Sequence, residues 1–399
     1  MKLLSEVISK IKPKEGSFDK EIKEVVSKIN SELKKNKIKA ETVVGGSFAK
    51  DTHLVGDHDC DIFVRFDYKK YKETDLSELL EKALKQFKAE RVHGSRDYFQ
   101  FKKSLNYEIV PVLKINKASE AVNVTDASPL HVAWSKKHKM SDEIRLAKAF
   151  CKAYKIYGAE SYIKGFSGHV LDILTIYYGS FIKLLKASQK WKDKTVIDIQ
   201  KYHDDALFEL NTAKTQSPLI VVDPIQKDRN AAAALSYEAV DVFKKKASEF
   251  LKKPSAKFFE KHVMKKEDLK DALIIDVVPQ EGKNDIVATK VLKVIEELER
   301  QLKKNDFVIK SWGWEFAAET FIWFKLKNEK LSAETIVEGP PVKIEKHAEM
   351  FKKAYKSVFE KKGRLYAKTK RKYVNSRDLI KDVLNSEYVK ERVERARLE

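Results

Sequence analysis

Thr42-Val43-Val44-Gly45-Gly46-Ser47, followed twelve residues beyond the serine by Asp59-Cys60-Asp61-Ile62-Phe63-Val64-Arg65-Phe66, decides how this chain folds. The first stretch is strand-like and runs into a glycine turn. The second alternates with period two, which sends Cys60, Ile62, Val64 and Phe66 to a core and leaves Asp59 and Asp61 together on the opposite face. Carboxylates at i and i+2 of a strand lie ~6.5–7 Å apart and point the same way. That separation suits two divalent ions, with Mg2+ the cation that prefers carboxylate, water and phosphate oxygens. A metal pair stabilises both the attacking and the leaving oxygen when a hydroxyl displaces pyrophosphate from a nucleoside triphosphate. A third carboxylate is expected from a neighbouring strand. Glu108 interrupts the apolar run Tyr107-Glu108-Ile109-Val110, where a buried carboxylate is costly without a partner. Gly46 lets backbone amides approach phosphates, Ser47 adds a hydroxyl and Lys50 a positive charge.

Outward from this stretch, residues 17–36 carry Ile22, Val25, Val26, Ile29 and Leu33 at helical spacing, and a second helix is expected over 76–89. Two strands follow near 98–101 and 107–110. From about 140 to 250 the period is helical, with Ser141 or Asp142 as N-cap and Ala147, Phe150, Cys151 and Tyr154 as an apolar stripe. Arg145, Lys148, Lys152 and Lys155 form a basic stripe whose ordinary reading is a solvated face. After 255, strands over 273–278 and 321–326 and a helix over 286–304 make a further α/β unit. From Gly339-Pro340-Pro341 onward the chain reads as helical and very basic. The fold class is therefore α+β multidomain, divided as 1–138, 139–254 and 255–399.

Composition narrows the partners. The 399 residues hold 80 Lys plus Arg against 60 Asp plus Glu, a net charge of +20 that points to a polyanion, RNA or DNA, ahead of a membrane. Cys60 and Cys151 sit in apolar patterns and imply neither a disulfide framework nor a cysteine zinc site. The opening Met1-Lys2-Leu3-Leu4-Ser5-Glu6 lacks a signal-peptide core, and no apolar run matches a bilayer span. A cytoplasmic protein without membrane contact is expected, and a homodimer is compatible with the chain.

At the glycine turn and the acidic pair the sequence resembles the DNA polymerase β nucleotidyltransferase superfamily. Further along, Gly46-Ser47-Phe48-Ala49-Lys50-Asp51-Thr52, Ser128-Pro129-Leu130-His131, Arg145-Leu146-Ala147-Lys148, Tyr157-Gly158-Ala159-Glu160, Gly165-Phe166-Ser167-Gly168, Tyr178-Gly179-Ser180-Phe181 and Asp228-Arg229-Asn230-Ala231-Ala232 resemble the archaeal, class I CCA-adding enzymes, the tRNA nucleotidyltransferases. The likeness runs through to Gly339-Pro340-Pro341. It implies a polymerase-β-like catalytic head, a helical central domain completing the nucleotide pocket, and a C-terminal α/β body with a basic helical tail. It also implies template-independent addition of C, C and A to the tRNA 3′ end from CTP and ATP. Asp59, Asp61 and Glu108 would hold two Mg2+ ions. Gly46, Ser47, Lys50, His131, Lys148, Tyr157 and Arg229 would meet the nucleotide, Arg229 helping to select C or A. The helical and C-terminal regions would grip the acceptor stem and TΨC arm. The chain departs from the family at Lys50, where arginine is common, at Glu108, where aspartate is usual, and at Asp51, an acid beside an anionic ligand.

Lys361, Lys362, Arg364, Lys368, Lys370, Arg371 and Lys372, with Tyr366 and Tyr373 among them, suit an RNA backbone and its exposed bases. Their bland reading is a solvated tail. Two other functions stand against the favoured one: another template-independent polymerase, such as a poly(A) polymerase or oligoadenylate synthetase, and a non-catalytic RNA-binding relative. The second of these predicts a lost carboxylate, whereas all three are present.

Overall fold

The computed structural model describes residues 2–261, 263–317 and 319–399. They form two compact units, Met1–His262 and Val263–Glu399. The first begins with α1 (Lys2–Ile11) and α2 (Asp19–Lys35), then β1 (Ala40–Val44), the short α3 (Gly46–Ala49) and β2 (Asp59–Asp67). With β3 (Glu90–Val92), β4 (Tyr98–Lys102) and β5 (Asn106–Lys114) the strands make one sheet in the order β1-β2-β5-β4-β3. β2 and β5 run parallel and the other pairs antiparallel.

Period two explains the sheet: Cys60, Ile62, Val64 and Phe66 are fully buried, as are Tyr107 and Ile109 of β5. Above them α2 lays down Ile22, Val25, Ile29 and Leu33, the i, i+3, i+4 stripe of a one-sided helix. Truncating Phe66 to alanine in such a core costs roughly 3–5 kcal/mol. The helix expected over 76–89 runs Leu76–Leu84, capped by Asp75, which accepts from the Ser77 amide at 2.8 Å. A 3-10 turn over Lys85–Phe87 and left-handed Lys88 then end it.

A second core belongs to the helices Ser128–Lys137, Ser141–Ala153, Gly168–Tyr178, Phe181–Ser188 and Tyr237–Lys252, beside a parallel strand pair, β6 (Thr195–Ile197) and β7 (Leu219–Val221). Phe150 lies among Phe181, Phe243 and Phe250, edge-on at 5.6, 5.7 and 6.3 Å. Helix α1 precedes the sheet in sequence yet packs Val7 into this helical core. The expected N-cap at Ser141 or Asp142 differs from the structure, where Met140 takes the cap position without a side-chain bond. Both residues fall inside the first turn, and Asp142 is drawn to Arg145 Nη1 at 2.6 Å instead.

In the second unit β8 (Leu273–Pro279), β9 (Ile309–Glu315), β10 (Thr320–Leu326) and β14 (Val393–Leu398) form an antiparallel sheet in the order β14-β8-β10-β9. Helices Asn284–Lys304 and Ser376–Leu384 share its core. The stretch after 339 is not a helical tail. β11 (Glu334–Pro341), β12 (Ser357–Lys361) and β13 (Arg364–Lys370) make a separate three-stranded sheet against helix Glu345–Ala354. The reason lies in Leu365 and Ala367, buried alternately between exposed Arg364 and Lys368, and in Lys362-Gly363, whose positive φ angles turn a two-residue hairpin. Among the described residues no helix is long and apolar enough to cross a membrane.

Candidate active site

Strand pairing assembles the acidic wall. In the parallel register of β2 and β5, Asp61 lies opposite Glu108 and Asp59 opposite Asn106. Asn106 Nδ2 donates to Asp59 Oδ1 at 3.0 Å, and Gln100 of β4 donates to Glu108 Oε1 at 2.6 Å. Burial first, then the Glu108 carboxylate, pushes Asp61 up to about 6. Burial also raises Glu108, aided by Asp59 and opposed by the Gln100 bond. Three carboxylates crowded with too little positive charge are a donor set that divalent cations fit. Gly46 closes the wall: at φ +52° a Cβ there would stand 1.6 Å from Asp61 Oδ2. Only glycine allows that approach.

A cavity of about 260 Å³ opens on this wall, lined among others by Gly46, Lys50, Asp61, His131, His169 and Arg229. Lys50 edges it while its Nζ lies 2.5 Å from Asp172 Oδ2, a carboxylate 1% exposed whose other oxygen has no partner. His131 and Arg229, 98 positions apart in the sequence (229 − 131), meet at Asp223, through Nε2 at 3.0 Å and Nη1 at 2.8 Å. Burial raises the Asp223 carboxyl, but hydrogen bonds from His131 and His169 outweigh it and hold it far below the carboxylate range. Burial lowers His131 against the pull of Asp223. Arg229 lies in a loop over 223–229 that is closed by a bridge between Val222 and Asn230.

The basic stripe is no solvated face. Arg145 is 1% exposed, pairs with Asp51 and Asp142, and donates to the His53 carbonyl at 3.1 Å. Asp51, the acid that looked misplaced beside phosphates, is thus turned to a guanidinium. Lys148 Nζ donates to the Thr52 carbonyl at 2.8 Å and lies 3.8 Å from Asp57, and Lys152 pairs with Asp57. Burial brings Lys148 down to about 8. Lys148 and Lys152 both sit near the Tyr157 ring, 5.7 and 5.0 Å from its centroid. Lys148, Tyr157 and Ser47 therefore stand outside the cavity lining. Lys155 lies past the helix end. Cys60 and Cys151 are buried in the two cores.

In the second unit, Arg364, Lys368 and Lys370 project from the solvent face of β13, with Lys361 and Lys362 at the hairpin end. Arg364 pairs with Glu338 at 2.9 Å, and Arg371 pairs with Asp306. Lys372 Nζ lies over the Tyr373 ring at 4.8 Å.

Sequence reasoning missed Gln100, Asn106, His169, Asp172 and Asp223. Gln100 and Asn106 could have been found from strand register, being polar residues on strands beside a proposed carboxylate. Nothing local marks the other three.

Paired strands that set Asp61 on the wall of a cavity beside a glycine turn, with Glu108 next to it in register, are the arrangement of a nucleotidyltransferase, and residues 26–131 match the nucleotidyltransferase domain family. The Cid1 poly(U) polymerase shares this fold at TM-score 0.52 and 14% identity, over 65% of this chain and 98% of its own. A cytoplasmic RNA terminal U-transferase does so at 0.50 and 15%, over 66% and 98%. Residues 142–260 match the second domain of tRNA nucleotidyltransferase, and residues 276–395 the C-terminal domain of the CCA-adding enzyme. The CCA-adding enzyme of Nanoarchaeum equitans is 36% identical over 365 residues, 89% of this chain and 90% of that one. That of Methanocaldococcus jannaschii is 32% identical over 415 residues, covering 96% and 90%. The chain belongs to the CCA-adding enzyme family. Membership carries template-independent nucleotidyl transfer to tRNA, with nucleotide substrates and divalent metal use.

Proposed function

We propose that this chain restores tRNA 3′ ends by adding C, C and then A from CTP and ATP, in the cavity between the acidic wall and the His131–Arg229 side. Asp59, Asp61 and Glu108 would hold two Mg2+ ions, which supply Lewis-acid stabilisation of the attacking and leaving oxygens. An oxygen of the same carboxylates receives the proton of the tRNA 3′ hydroxyl. The 3′ oxygen bonds the α-phosphorus, the bond to the bridging oxygen breaks, and pyrophosphate leaves. Lys50 neutralises the triphosphate, exchanging its bond to Asp172 for a phosphate oxygen, and Ser47, outside the cavity lining, would reach the phosphates only from the glycine turn's far side. Lys148 and Tyr157 support this side of the site, and Arg229 with His131 reads the base. The acceptor stem and TΨC arm would lie along the helical region and the basic hairpin of the second unit.

The observation that carries this reading is the pairing of Asp61 with Glu108 beneath Gly46, in a chain of this family. The test supplies tRNA lacking CCA, lacking CA or lacking A, with labelled CTP or ATP. Ordered C, C, A addition followed by a stop is expected. Open-ended adenylation would contradict it and favour a poly(A)-type polymerase.

A further inference from the structure

One carboxylate gathers three cavity-lining side chains from separate segments. Asp223 is fully buried just after β7. Its Oδ1 accepts from His131 Nε2 at 3.0 Å and from the amides of Ile225 and Gln226 at 2.9 and 3.1 Å. Its Oδ2 accepts from His169 Nε2 at 3.2 Å and Arg229 Nη1 at 2.8 Å. The loop closes on itself as well, the Asp223 amide donating to the Arg229 carbonyl at 2.9 Å. Arg229 lines both the cavity beside Asp61 and an adjoining cleft of about 530 Å³ that holds Tyr202, Lys117, Lys214 and Lys227.

His131, His169 and Asp223 bring potential ligand atoms within 4.8 Å of one another. Five donors, one a guanidinium, already fill the two oxygens of Asp223, so the trio works as a hydrogen-bond fan and not as a cation cage. An ionised carboxylate only accepts, so each imidazole must carry its proton on Nε2, which leaves Nδ1 an acceptor in the neutral ring.

We propose that Asp223 is the positioning residue for nucleotide selection: it fixes the tautomers of His131 and His169 and holds the Arg229 guanidinium on the cavity wall. An incoming nucleotide then meets one preset pattern of donors and acceptors. The inference rests on the cavity being the nucleotide site.

Asp223→Asn separates this role from simple loop support. The asparagine oxygen in the Oδ1 place still accepts from the Ile225 and Gln226 amides, whereas its NH2 in the Oδ2 place opposes Arg229 and His169. KM for CTP and ATP is expected to rise about tenfold to a hundredfold, the scale of a charge-assisted hydrogen bond. KM for tRNA stays unchanged, and misincorporation of UTP relative to CTP increases. In a cycle with Arg229→Gln, the double variant should bind nucleotide no worse than the weaker single variant. A lowered Tm with unchanged nucleotide KM, or additive losses in the cycle, overturns the proposal. If D223N does not fold, His169→Gln on a partly exposed ring serves: about a threefold rise in nucleotide Kd supports the fan, and an unchanged Kd overturns it. Direct binding of labelled ATP and CTP keeps the two readings apart. A wild-type chain that binds both but extends no tRNA breaks the proposed function and leaves this inference standing.

Discussion

On one side of the cavity Asp61 and Glu108 are neighbours because β2 and β5 pair in register; on the other, His131, His169 and Arg229 are neighbours because a buried carboxylate ties them together. The first side is set by the backbone ladder, with Gly46 packed directly against Asp61. The second depends on one residue. The difference teaches how each side is held: the backbone ladder sets the carboxylates in register, whereas the hydrogen-bond fan, to which we assign the base, hangs on one side chain.

Damage to the ladder side should show most strongly. Gly46→Ala places a methyl against Asp61 and forces a left-handed alanine at φ +52°. Left-handed backbone costs about 1–2 kcal/mol, and an ångström of displacement at reacting groups costs on the order of 10²-fold in rate. Single-turnover addition of A to tRNA ending in CC is expected to slow by at least that order with tRNA affinity unchanged. A rate near wild type would mean that Asp61 is not held from Gly46.

A smaller effect tests the ion pairs that join the loop after α3 to helix Ser141–Ala153. Arg145→Met removes a buried guanidinium, but Asp51 and Asp142 are 62% and 44% exposed and recover water. A loss of about 2 kcal/mol in urea unfolding is expected. An unchanged midpoint would reduce Arg145 to a packing role.

The smallest effect lies in the second unit. Replacing Lys361, Lys362, Lys368 and Lys370 with alanine should raise KM for tRNA about tenfold and flatten its dependence on salt, because released counterions set that slope. kcat should hold nearly constant. A fall in kcat alone would remove the hairpin from tRNA binding.

How much of this the sequence carried follows from the range of each signal. Period two in Asp59–Phe66 and in Tyr107–Val110 sufficed for both strands and for the third carboxylate, since a strand's faces are written locally. The same period in Arg364–Lys370 was masked by charge, and a short basic hairpin was read as helix. The stripe Arg145/Lys148/Lys152 looked solvated because nothing in its own helix names Asp51, Thr52 and Asp57 as partners. Asp223 reaches His131 across 92 residues and His169 across 54, so the fan had no local signature.

The acidic wall can be tested without turnover. Because Asp61 is pushed up to about 6, the metal-free fold keeps its proton where an ordinary aspartate has lost it. Its stability should fall as pH rises from the usual aspartate range through about 6, and a cation must expel that proton to bind. The most direct measurement is Mn2+ binding followed by electron paramagnetic resonance, on the wild type and on Asp61→Asn, at about pH 7.5 and about pH 5. The account predicts two ions per wild-type chain with bound CTP. It also predicts roughly tenfold weaker binding at the lower pH, given one competing proton, and fewer ions with a weaker pH dependence in Asp61→Asn, where Glu108 still competes for a proton. Two ions bound equally well by Asp61→Asn at both pH values would contradict it.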